Sequence, residues 1–64
     1  MISKAEEIVA GLQILVKYGY VEVSAEHDEI FAEPTKNISV EDVALLKTLG
    51  WEYVRSLNCY KIYT

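Results

Sequence analysis

Residues 15–20 are LVKYGY, and residues 46–51 repeat the phrase as LKTLGW at an offset of 31 residues. Each copy ends an apolar helical pattern at a glycine, places an aromatic residue next, and continues into a strand-like run. A glycine just past the last periodic residue is typical of a helix C-terminus. The repetition therefore predicts two similar units, each made of one helix followed by two strands.

The two predicted helices begin at capping sequences. Ser3 and Glu6 have the spacing of a capping box, in which each side chain bonds the backbone N–H of the other residue. Ser39 repeats this pattern with Asp42 in the glutamate position. Within the first helix we expect Gly11 to mark the close approach of another backbone, such as that of the second helix, because a glycine there costs about 1 kcal/mol relative to alanine.

Alternating apolar and polar residues predict four strands, at 20–25, 28–33, 51–56 and 59–63. The order α-β-β-α-β-β predicts an α+β domain, in which a four-stranded antiparallel sheet carries both helices on one face. We interpret residues 1–64 as one domain, with a first unit at about 3–33 and a second at about 39–64. The order of the strands in the sheet stays open.

The sheet's outer face is expected to carry large apolar side chains, because 52% of this short chain is hydrophobic and a small core cannot hold all of it. If Val23 and Val54 face the helices alike, the outer aromatic residues are Tyr20, Phe31, Trp51, Tyr53 and Tyr63. The opposite assignment for the last two strands buries Trp51 and Tyr53 and exposes Val54, Tyr60 and Ile62. Either assignment predicts a non-enzymatic module that contacts itself as a homodimer, or another protein, through this face or a sheet edge.

The first hairpin is acidic: no lysine or arginine lies between Tyr18 and Thr35. Its charged and titratable residues are Glu22, Glu26, His27, Asp28, Glu29 and Glu33. The alternative interpretation is therefore an acidic phage-type inhibitor or decoy that binds a basic partner through this hairpin. The net charge of −4 and the acidic stripe argue against nucleic-acid binding, because both repel phosphate.

A third interpretation, a metal-dependent enzyme centred on His27, is weaker. Histidine and carboxylates suit a divalent cation, but neighbours on a strand point to opposite faces, so few of them converge. The lone Cys59 has no partner for an internal disulfide and is predicted to be a small, half-buried strand residue. We predict no catalytic residue, no metal site and no cofactor.

A cytoplasmic, membrane-free location is expected. Glu6 and Glu7 stand where a signal peptide would carry basic residues, and no apolar run approaches the roughly 20 residues of a membrane span.

Three segments carry a resemblance. They are residues 24–30 (SAEHDEI), residues 39–51 with the pattern S-x-E-D-x-x-x-L-x-x-L-G-W, and Cys59-Tyr60. Together they resemble a pattern in small uncharacterised proteins of bacterial and phage genomes, over about the last two-thirds of the chain. The resemblance implies no activity; it gives more weight to residues 26–28 and adds a phage or prophage origin to the interpretations.

Overall fold

The computed structural model describes residues 3–64, so the first two residues of the predicted domain lie outside the described residues. Its elements are α1 (Lys4–Val16), β1 (Val21–Glu26), β2 (Glu29–Pro34), α2 (Val40–Thr48), β3 (Glu52–Val54) and β4 (Cys59–Tyr63). The predicted α+β fold, its element order and its antiparallel sheet are confirmed.

The strands lie in the order β1-β2-β4-β3, and every neighbouring pair is antiparallel. The second strand of each unit is therefore central, and the first strand of each unit is an edge. The central pair joins the two units through the facing residues Ile30 with Ile62 and Ala32 with Tyr60. The order is symmetric about the central pair and is consistent with the internal repeat. The sequence alone did not predict it.

Both predicted serine caps are formed, but only the first belongs to a complete capping box. Ser3 Oγ accepts from the Glu6 N–H at 3.2 Å, and Glu6 Oε1 accepts from the Ser3 N–H at 2.9 Å. Ser39 Oγ likewise accepts from the Asp42 N–H at 3.2 Å, but the Ser39 N–H donates to the Tyr18 hydroxyl at 3.1 Å instead of to a carboxylate. The predicted box is incomplete because Tyr18 takes the place that the Asp42 carboxylate would fill.

The Asp42 carboxylate instead connects the two units. It accepts a hydrogen bond from the Tyr18 hydroxyl and lies 3.2 Å from Lys17 Nζ. The Tyr18 hydrogen bond, followed by that of Lys17, lowers the pKa of Asp42 below its ordinary value. The end of α1 is thereby fixed to the start of α2.

The core lies between the helices and the sheet. Leu15 from α1, Leu46 from α2, and Ala32 and Ile62 from the central strands are all fully buried. These four residues come from both units, so neither unit can bury its apolar face without the other.

Trp51 is also in this core, at 1% exposure, which corrects its predicted place on the outer face. The cause is the end of α2: the Trp51 N–H donates to the Leu46 carbonyl at 3.0 Å, and the Gly50 N–H donates to the Lys47 carbonyl at 3.1 Å. With Gly50 at φ +93, this is a Schellman motif, which returns the following residue towards the helix. After α1 the Gly19 N–H likewise donates to the Val16 carbonyl at 3.1 Å, but among residues 3–64 no bond from the Tyr20 N–H matches that of Trp51, and Tyr20 is 66% exposed.

Gly11 accommodates this tryptophan, not another backbone as predicted. A Cβ at Gly11 would lie 2.0 Å from Trp51 Nε1, and that indole N–H donates to the Glu7 carbonyl at 3.1 Å. The mid-helix glycine is therefore explained by a side chain of the second unit that packs against α1 at this position.

β3 has the opposite facing from the one predicted by aligning Val23 with Val54. Tyr53 faces Tyr60 on the helix side, with their ring centroids 5.1 Å apart, while Val54 lies opposite Cys59 on the outer side. The first of the two predicted assignments is thus right for β1, β2 and β4, and the second is right for β3. The reversal follows from Trp51, because burying it fixes the alternation of the residues after it.

The strand limits differ by small shifts from those predicted. β3 keeps only three residues of the predicted 51–56. In the first hairpin the turn is His27-Asp28, with His27 at φ 55, so Glu26 belongs to β1 and Glu29 begins β2.

Candidate interaction surface on the outer face

The outer face of the sheet is the side opposite the helices, and its members follow from the pairing register. Ala32 and Ile62 point into the core, so the residues between and beside them point outward. The outer face therefore carries Glu22, Ser24, Glu26, Glu29, Phe31, Glu33, Glu52, Val54, Cys59, Lys61 and Tyr63. Five of these eleven residues are glutamates, so the face is predominantly anionic.

Two pairs of glutamates lie directly opposite each other on the first hairpin. Glu22 is the register partner of Glu33, and Glu26 is the register partner of Glu29. Directly opposed Cβ atoms are about 4.5–5.5 Å apart, and like charges at that spacing destabilise a hairpin. Sequence reasoning found the acidic stripe; the register adds that its members oppose one another in pairs.

A shallow concavity of about 250 Å³ lies on this face. Its walls include Glu22, Glu26 and Glu33, and its apolar part comes from Phe31 and Leu57. The predicted acidic hairpin and the predicted aromatic Phe31 are thus brought together at one place. A binding partner there would meet negative charge around a small apolar patch.

Lys61 is the cation of this face, and it pairs with one glutamate. Its Nζ lies 3.1 Å from Glu29 Oε2 and donates to the Tyr63 hydroxyl at 2.9 Å. These two hydrogen bonds, that to Tyr63 first, raise the pKa of Lys61 above its ordinary value. No salt bridge of Glu22, Glu26 or Glu33 is found within residues 3–64.

Glu22 has a neutral partner instead. The Tyr20 hydroxyl donates to Glu22 Oε1 at 3.1 Å, and this hydrogen bond raises the pKa of Tyr20. A tyrosine hydroxyl leaves the carboxylate charge in place, so the anionic character of the face is kept.

Cys59 is 5% exposed on this face, more deeply buried than predicted. Burial, and secondly the nearby Glu33, raise the pKa of its thiol. A protonated, buried thiol is unreactive, since the thiolate is the nucleophile. The arrangement therefore suits packing and not covalent chemistry.

The five predicted interface aromatics do not form one surface. Phe31, half-buried, and Tyr63, half-exposed, belong to the outer face, and Tyr20 contacts it through Glu22. Tyr53, 48% exposed, is on the helix side, and Trp51 is in the core. The predicted aromatic surface is therefore divided between the outer face, the helix side of the sheet and the core.

His27 and Asp28 form the exposed turn at the end of the hairpin. Among residues 3–64, no group of three or more His, Cys, Asp or Glu side chains is placed to hold a metal ion. The turn closes the acidic hairpin without gathering its carboxylates around the imidazole.

Leu57, which lines the concavity, is a residue that sequence reasoning missed. Leu57 is 58% exposed in the second turn, where no periodicity marks it. Lys61 was placed on this side by its alternation with Tyr60 and Ile62 along β4, but it was not predicted to be a site residue.

The described part of the chain contains no helix with the length and apolarity needed to cross a membrane. No family model, curated protein or solved structure matches this chain.

Proposed function

We propose that this domain is a non-enzymatic protein-binding module that takes a basic segment of another protein on the outer face of its first hairpin. The observation that carries the proposal is the two pairs of opposed glutamates, Glu22 with Glu33 and Glu26 with Glu29, of which only Glu29 has a salt bridge within residues 3–64. Opposed like charges act against the hairpin that holds them. Departures of this kind from local stability rules are expected where a surface has a function.

A cationic partner would relieve this repulsion on binding. Glu22, Glu26 and Glu33 line one concavity, so lysine or arginine side chains entering it would meet several carboxylates together. Phe31 and Leu57 in the same concavity offer apolar contact to the stems of those side chains. The charge argues for a protein partner over a nucleic acid, whose phosphates this face repels.

Self-association through the outer face stays a prediction, and two observations weigh against it. Trp51, which was expected to be an anchor, is buried within one chain. Two copies meeting by this face would also bring their glutamates together. Sedimentation equilibrium at micromolar concentration measures the mass directly, and a dimer would replace the present proposal.

The proposal is tested with a fluorescent eight-residue peptide of alternating lysine and valine, titrated by anisotropy. Glu22→Gln with Glu33→Gln should weaken binding by about three- to tenfold, as expected for the loss of two partly exposed charge contacts. Glu7→Gln with Glu41→Gln is the matched control, because it gives the same net charge with changes outside the hairpin.

The salt dependence supplies the second readout. Binding to the unmodified protein should weaken between low salt and about 0.3 M salt, since exposed charge contacts are screened over that range. Equal weakening by the hairpin variant and the control variant would show general attraction to an acidic protein and would remove the proposal.

A further inference from the structure

β1 is an open edge of the sheet, and it differs from the other edge. It runs for six residues, Val21–Glu26, against three for β3. From Glu22 to Glu26 every residue is exposed, and Val23 is 48% exposed even though it faces the helix side. The helices therefore leave β1 largely uncovered.

The backbone groups that β1 presents to its free side can be identified. The Thr64 N–H donates to the Asp28 carbonyl at 2.7 Å, so Asp28 is directed towards β4. Alternation along β2 then directs Glu29, Phe31 and Glu33 towards β1, where they pair with Glu26, Ser24 and Glu22.

It follows that Val21, Val23 and Ala25 direct their N–H and C=O groups away from the sheet. The loop and side-chain hydrogen bonds found among residues 3–64 include none to these groups. They form a row of donors and acceptors that a further strand can pair with.

Of the common protections of an edge strand, β1 has charged side chains, Glu22 and Glu26, which act against a second copy of itself, and it lacks the others. It has no lysine and no proline, and its pairing with β2 continues without a bulge from Val21 to Glu26. The other edge is protected by its shortness. β1 is therefore the edge that suits strand addition.

The two faces of β1 set the chemistry of the added strand. On the outer face Glu22 and Glu26 favour a cation, and Glu33 and Glu29 lie behind them on β2. On the helix side Val21, Val23 and Ala25 favour apolar side chains. An added strand thus suits β1 best when basic and apolar residues alternate along it.

A second copy of this chain does not have that pattern at β1. Antiparallel pairing of two β1 strands would place the glutamates of both copies on one face, where they repel. We propose that β1 binds an extended basic peptide segment by antiparallel strand addition, with apolar residues towards the helices and basic residues towards the glutamates. This rests on the proposed function and specifies how the basic partner is held.

N-methylation tests the orientation of the backbone. In antiparallel addition, the residues opposite Val21, Val23 and Ala25 share their face and direct their N–H groups to β1, so they are the valines of the alternating lysine–valine peptide. Methylating the valine amides should weaken binding at least about tenfold, since several backbone hydrogen bonds are lost. Methylating the lysine amides should leave binding within about twofold, because those amides face solvent.

A variant of the protein tests the outward-facing backbone groups of β1 themselves. Val23→Pro removes an N–H that faces away from β2, and proline is tolerated at edge positions of that kind. Val23→Thr is the matched control, because it keeps the N–H and a β-branched side chain. Val23→Pro should lose binding and Val23→Thr should keep it, with circular dichroism to check folding.

The outcomes separate the two proposals. Equal binding of all three peptides would overturn strand addition while the proposed function stands, and loss only on lysine methylation would overturn the antiparallel arrangement. Failure of the unmodified peptide to bind would overturn both. The methylated peptides decide the question even if Val23→Pro does not fold, because they leave the protein unchanged.

Discussion

The two hairpins follow similar local sequences, residues 15–20 and 46–51, but form different surfaces. The second, β3–β4, supplies Tyr60 and Ile62 to the core, is preceded by the buried Trp51, and has a short edge strand. The first, β1–β2, supplies Ala32 to the core and exposes nearly all of its edge strand. The second hairpin thus contributes more to the core. The first leaves the backbone groups of β1 and several glutamate side chains exposed, where a partner could bind.

The difference begins at the glycine stops. Gly50 belongs to a Schellman motif that returns Trp51 to the core, whereas the bonds after α1 connect residues three apart and leave Tyr20 exposed. A sequence repeat therefore specifies where helices end more reliably than which face the next residue takes.

The largest expected effect separates the two aromatic residues that follow the glycines. Trp51→Ala should lower the free energy of unfolding by about 3–5 kcal/mol, because it removes a fully buried indole. Tyr20→Ala, at the equivalent position of the repeat, should change it by no more than about 0.5 kcal/mol. Urea unfolding followed by circular dichroism measures both free energies, and similar losses for the two variants would contradict the difference between the two glycine stops.

A smaller effect is expected where Trp51 meets α1. Gly11→Ala should lower the free energy of unfolding by about 1–3 kcal/mol, because the new Cβ would overlap the indole. Gln13→Ala, at an exposed site of the same helix, is the control for helix propensity.

The same substitution in a variant without the indole tests this contact directly. In a protein that already carries Trp51→Leu, Gly11→Ala should lower the free energy of unfolding by less, since the overlapping ring is gone. An unchanged penalty in a double-mutant cycle would contradict the proposed contact.

Charge in the first hairpin should act against stability. Glu22→Gln should raise the free energy of unfolding by about 0.2–1 kcal/mol at low salt, because it removes one of two directly opposed glutamates. Glu52→Gln is the contrast in the second hairpin: Glu52 lies opposite Lys61, so its loss should be neutral or slightly destabilising. Both effects should diminish at 1 M salt; a destabilising Glu22→Gln would count against opposed repulsion.

The smallest effect concerns the connection between the two units. The folded-state pKa of Asp42 is lowered, so the stability it contributes is present above its ordinary pKa of about 3.9 and is lost as pH falls through the lower folded value. Asp42→Asn should therefore flatten the acid side of the stability profile between about pH 5 and pH 2. Chemical unfolding across that range measures it, and identical slopes for both proteins would disprove the contribution.

Much of the fold was predictable because it depends on local chemistry. The glycine stops, the Ser3 capping box and the alternation of β1, β2 and β4 all follow from short-range patterns. The strand order depends on which strands meet across the centre of the sheet, and local patterns do not specify that.

The candidate surface was predictable in composition and not in arrangement. The cation-free window gave the glutamates, but only the register shows that Glu22 opposes Glu33. The facing of Trp51 was left between two assignments, and the interface prediction took the wrong one, because its burial involves a long-range contact with Gly11, 40 residues earlier in the chain.

The first hairpin is the proposed binding surface of this domain. Titration of ¹⁵N-labelled protein with the alternating lysine–valine peptide, followed by two-dimensional NMR, tests it residue by residue. We expect the largest amide shifts at Val21, Val23 and Ala25, with smaller shifts at Glu33 and none at Tyr53. Shifts centred on the second hairpin, or spread evenly over the domain, would contradict it.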